Sequence, residues 1–129
     1  MPQPQASEEM QEEVPMNPRI LVVDDEPIVR TFIRAALRSH GYDVLTAASA
    51  AEAAEISGVD LLLTEFELPD ASGEVLAARL RKKQRCLRVI YTTGQSQLKT
   101  SEAVLYKPFT TAVLLDAIGS QCCCHPKAA

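Results

Sequence analysis

Apolar runs of four or five residues, alternating with helical patterns, set the terms on which this chain can fold. Ile20-Leu21-Val22-Val23 and Leu61-Leu62-Leu63 show no polar alternation. Strands of that kind have both faces covered, which points to a parallel sheet between two layers of helix. The runs predict strands over 20–23, 43–47, 60–64, 87–92 and 103–106. Pro27 sits early in a first helix, where its missing N–H costs nothing. Ile28, Val29, Phe32, Ile33, Ala36 and Leu37 follow at helical spacing, and Gly41 is the expected stop. Ser49 with Glu52 forms a capping-box pattern and opens a second helix, expected to run through Ile56. A third is expected over 73–83 with Val75, Leu76 and Leu80 inward. The last begins near Thr110, with Val113, Leu114, Ala117 and Ile118 toward the sheet. Five strands and roughly five helices make a doubly wound α/β domain.

A length of 129 residues allows one such domain with tails, and 47% hydrophobic with 23% charged residues is ordinary for a soluble protein. The net charge of −4 is unevenly placed. Residues 1–18 hold Glu8, Glu9, Glu12 and Glu13 and no Lys or Arg, which leaves thirteen acids against thirteen bases beyond them. A dedicated nucleic-acid binder would be basic. The expected division is a disordered acidic tail over 1–18, a domain over 19–120 and a flexible tail over 121–129. No apolar run approaches the roughly 20 residues needed to span a bilayer, and the N-terminus lacks a secretory pattern, so the expected compartment is the cytoplasm. Cys86 and the run Cys122-Cys123-Cys124 make no disulfide framework. Cys122-Cys123-Cys124-His125 has no second ligand cluster to complete a tetrahedral zinc shell.

Doubly wound sheets place ligands at the carboxyl ends of their strands. Asp24, Asp25, Glu65, Thr93 and Lys107 all fall at such ends. Taken singly, an Asp-Asp pair caps a helix, Thr-Gly makes a turn and Lys107-Pro108-Phe109 a loop. Taken in order, with the Pro69-to-Gly73 loop after Glu65, the set resembles the receiver domain of two-component response regulators. The resemblance implies a flavodoxin-like strand order 2-1-3-4-5. It implies Mg²⁺ as cofactor, held by Asp24, Asp25, the residue at position 65 and the backbone carbonyl of Glu67. Lys107 and Thr93 would bind phosphoryl oxygens, and Pro108 would follow a cis peptide. Thirteen residues separate Thr93 from Lys107, too few for the usual helix and two loops, so the fourth helix is expected to be truncated or missing. With Tyr91-Thr92-Thr93-Gly94 this is similar to the "FATGUY" subgroup of receivers, and Val104 stands where the family usually carries an aromatic.

The family's phosphoacceptor at position 65 is an aspartate, and here it is Glu65. Its carboxylate reaches about 1.5 Å further, one C–C bond's length. In-line attack tolerates such displacement poorly, since a 1 Å error costs roughly 10²-fold. The longer side chain can instead stand near Lys107 and Thr93 as a partial mimic of a phosphoryl group, with one charge against nearly two. Three readings stay open: a phosphorylation-independent pseudoreceiver, an active-state mimic, and residual phosphorylation. The expected role is non-enzymatic, a stand-alone module that contacts a histidine kinase, a phosphotransfer protein or a downstream effector. The alternative, a Mg²⁺-dependent phosphohydrolase on a similar fold, lacks a paired Asp-x-Asp and room for a cap domain. Arg79, Arg81, Lys82, Lys83, Arg85 and Arg88 form a basic run, read either as a solvated helix end or as a partner surface.

Overall fold

The computed structural model describes residues 17–122. The expectations for residues 1–16 and for the run from Cys123 to Ala129 lie outside the described residues. Five parallel strands form one sheet: β1 (Arg19–Val23), β2 (Asp43–Ala47), β3 (Leu61–Glu65), β4 (Arg88–Thr93) and β5 (Ala103–Tyr106). Their order is β2-β1-β3-β4-β5, the doubly wound 2-1-3-4-5 arrangement. Register pairs Val23 with Thr64, Glu65 with Thr92, and Thr93 with Tyr106, so the strand ends line up along one edge.

Successive strand residues point to opposite faces, and each face has its own core. Ile20, Val22, Leu61, Leu63 and Ile90 pack with Ile33 and Leu37 of α1 (Pro27–Arg38) and Leu114 and Ile118 of α4 (Thr111–Cys122). Leu21, Val23, Leu62, Val89 and Tyr91 pack with Ala50 and Ala53 of α2 (Ala50–Ala54) and Leu76, Ala77 and Leu80 of α3 (Gly73–Arg81). Each fully buried Leu or Ile contributes about 2 kcal/mol, so the sheet is held by its apolar sandwich.

The local signals act as expected at several points. Ser49 accepts the Glu52 N–H at 3.2 Å, and Glu52 reaches back to the Ala48 N–H at 2.8 Å. Gly41 ends α1 in the left-handed region, with φ of 89°. Other expectations need correction. Val75 and Val113, expected inward, are exposed, as are Ile28 and Phe32 of the α1 repeat, because the apolar stripe on each helix is wider than the strip the sheet covers. β3 and β4 are shifted by one residue toward their carboxyl ends, α2 stops at Ala54 and α3 at Arg81. Among the described residues there are four helices, not five. The segment 94–102 has none, in line with the expected loss of the fourth. No helix among the described residues is long and apolar enough to cross a membrane.

Candidate functional site

The carboxyl edge of the sheet gathers charge because three of its strands end there in ionisable residues. Asp24 follows β1, Glu65 closes β3, and Lys107 follows β5. Lys107 Nζ donates to Glu65 Oε1 at 2.5 Å and to Asp24 Oδ2 at 3.1 Å, and lies 3.6 Å from Glu26 Oε1. Asp24 is 1% exposed. Its other oxygen, Oδ1, accepts the Glu26 N–H at 2.9 Å, while Arg30 donates to its backbone carbonyl at 2.7 Å. A buried carboxylate is tolerable only when paired and hydrogen-bonded, and Asp24 meets both conditions.

Burial pushes the Glu65 carboxyl above its ordinary value; the Lys107 hydrogen bond and charge pull it down without winning, and Asp24 and Asp25 push it up again. For Lys107, burial by itself lowers the ammonium. The hydrogen bonds it donates to Glu65 and Asp24 outweigh that and hold it above its ordinary 10.5. Its loop is fixed by the backbone, since the Lys107 N–H donates to the Thr93 carbonyl at 2.8 Å and the Lys107-Pro108 peptide is cis.

The remaining expected residues sit at the same edge in other roles. Asp25 is exposed and acts on Glu65 through its charge. Thr93 is buried, and its hydroxyl accepts the Gln95 N–H at 3.1 Å. Glu65 makes its hydrogen bond to Lys107 and none to Thr93. Glu67 is exposed, with its carboxylate taking a hydrogen bond from Gln95 Nε2 at 2.9 Å. Gly73 has to be glycine here: a Cβ would come 2.7 Å from the Glu65 carbonyl oxygen and 3.2 Å from Phe66 Cα. Glu26, Arg30 and Gln95 went unread in the sequence. Only the Glu26/Arg30 spacing, four apart at a helix start, hinted at two of them.

Mg²⁺ demands near-octahedral oxygen ligands at about 2.0–2.1 Å. The set Asp24, Asp25, Glu65 and the Glu67 carbonyl does not fit it in this arrangement. The Glu65 carboxylate is turned onto Lys107, and the ammonium takes the Asp24 oxygen. Among the described residues no three His, Cys, Asp or Glu side chains are grouped to hold a metal ion.

Residues 20–118 match the family model described as the response regulator receiver domain. The transcriptional regulatory protein AruR of Pseudomonas aeruginosa is 38% identical over 89 residues, covering 63% of this chain and 36% of that protein. The autoinducer sensor kinase/phosphatase CqsS of Vibrio cholerae is 30% identical over 116 residues, covering 79% of this chain and 17% of that protein. The chain thus spans about a third or less of these relatives. The response regulator TrrA of Thermotoga maritima, solved in complex with Mg²⁺-BeF, superposes with a TM-score of 0.73 at 29% identity, over 81% of this chain and 98% of that one. A receiver domain of Methanospirillum hungatei gives 0.78 at 27% identity, over 88% and 99%.

Proposed function

The chain belongs to the response regulator receiver domain family, and on that premise we propose that it is a pseudoreceiver, with Glu65 at the phosphoacceptor position. It transmits signals in two-component pathways through protein contacts that do not require phosphoryl transfer. The observation that carries this is the Lys107 ammonium held between Glu65 and Asp24. A phosphoryl group would draw on that ammonium as counter-charge, and the Glu65 and Asp24 carboxylates already engage it. Because Glu65 meets Lys107 and not Thr93, it imitates at most part of a phosphorylated acceptor, which favours the pseudoreceiver over a full active-state mimic.

The partners proposed are a histidine kinase or phosphotransfer protein, or an effector downstream, in the cytoplasm. Receiver domains occur on both sides of such pathways, and the relatives include a regulator and a sensor kinase. Magnesium would have to displace Lys107 from Asp24, so its binding is weaker here than in a Glu65→Asp variant. Incubation with Mg²⁺ and acetyl phosphate should leave the intact mass of the protein unchanged, while Glu65→Asp acquires a phosphoryl group. A stable acyl phosphate on the parent chain would overturn the reading.

A further inference from the structure

The opposite end of the sheet carries a second concave site with the reverse charge. Between α3 and β4 the chain runs Lys82-Lys83-Gln84-Arg85-Cys86-Leu87-Arg88, and these residues wrap a cavity of about 490 Å³ with Val59 and Asp60 on its far wall. Four cations face it against the one acid. Lys82, Arg85 and Arg88 make no side-chain hydrogen bond or ion pair with the described residues, unlike Arg81, which is spent on Glu102 and the Leu87 carbonyl.

The loop that carries them is built. Gln84 Oε1 accepts the Val59 N–H at 2.8 Å, and the Gln84 carbonyl accepts the Leu87 N–H at 3.2 Å. The Val59 donor fixes which way the amide points, because a reversed amide would set donor against donor. That leaves Gln84 Nε2 buried with no partner among the described residues. Free cations on a fixed concave loop, with an unused amide behind them, exceed what complementing the dipole at the end of α3 requires.

We infer that this cavity binds a phosphate chain of several units, as carried by nucleoside polyphosphates or inorganic polyphosphate. Its volume falls within the range of small-molecule sites, about 300–1,000 Å³. The cations come from a single short loop without aromatic side chains, which suits a compact anion better than a stacked single strand. The site lies at the amino ends of the strands, away from Glu65 and Lys107, and it does not depend on how those residues work.

The test uses the full chain with EDTA present, titrated separately with ATP and with tripolyphosphate at near-physiological salt, and read by amide shifts. Saturable changes confined to residues 59–60 and 82–88 are expected. Equal affinities assign recognition to the phosphate chain alone, and tighter ATP assigns it to a nucleotide; either supports the inference. The double variant Arg85→Gln, Arg88→Gln should weaken binding at least tenfold. The charge-matched control Arg34→Gln, Lys99→Gln should change it less than twofold, and intrinsic folding is checked by the strand amides. Equal losses in the two variants would reduce the effect to overall charge and overturn the site. So would a short DNA duplex binding through these amides more tightly than either phosphate ligand.

Discussion

Lys107 has three N–H bonds to give, and the carboxylates around it claim them. Two go to Glu65 and Asp24 as hydrogen bonds, and Glu26 stands within ion-pair range. A hydrogen bond to a charged group is worth about 1.5–3 kcal/mol, and removing one partner leaves the other charge buried. Lys107→Met should therefore destabilise the fold by about 2 kcal/mol in urea unfolding at neutral pH. The pH dependence has a definite sign. The folded state holds the Lys107 proton more tightly than the unfolded chain does. Its contribution is complete below 10.5 and is lost as pH rises through the raised folded value. Glu65 has the same sign in a more acidic window: its value is raised from 4.5, so its contribution is complete below that point and falls as pH climbs through the raised folded value. Parent stability should then decline above pH 10.5 in a manner that Lys107→Met does not share. Parallel alkaline profiles for the two proteins would remove the Lys107 linkage from the account.

At the scale of elements, the segment 94–102 replaces a helix with a loop tied at intervals. Gln95 donates to Glu67, the Leu98 N–H donates to the Tyr106 hydroxyl at 3.3 Å, and Glu102 receives two hydrogen bonds from Arg81. Only Leu98 packs against the core. Local opening free energy follows buried contacts, so the amides of 95–101 should exchange faster than those of 89–92. Glu102→Gln should speed them further by loosening the Arg81 clamp, a partly exposed pair worth roughly 1 kcal/mol or less. Equal protection in loop and strand would make the segment a rigid scaffold. The strands were legible in the sequence because uninterrupted apolar runs mark segments covered on both faces, though such runs do not fix their own bounds, and β3 and β4 lie one residue further on. Helix faces were legible only in part: Ile28 and Phe32 share the spacing of Ile33 and Leu37, yet the first two lie outside and the last two are buried. At the site, the strand ends announced Asp24, Glu65, Thr93 and Lys107. The partners they take up depend on loop geometry that no spacing encodes, as with Gln95 on Glu67 and Gln84 on Val59.

An apolar sandwich lies between the carboxylates gathered around Lys107 at one edge of the sheet and the cations of 82–88 at the other, and needs neither. Among the described residues twelve large side chains are almost wholly buried, drawn from strands and from α1, α3 and α4. Stability of that origin is indifferent to divalent ions. Treatment with EDTA should leave the melting temperature of the purified chain unchanged, whereas unfolding on chelation would mean that a metal holds the fold together.

The central claim is that Glu65 keeps Lys107 occupied and so removes the phosphoryl site. The most direct measurement is the amide spectrum of the parent and of Glu65→Asp, each titrated with Mg²⁺ and beryllofluoride. Beryllofluoride is expected to cause no saturable change at residues 24, 65, 93 and 107 of the parent beyond that of Mg²⁺ alone, and a clear bound state in the variant. A parent spectrum that moves with beryllofluoride to a saturated bound state at those same amides would contradict the claim.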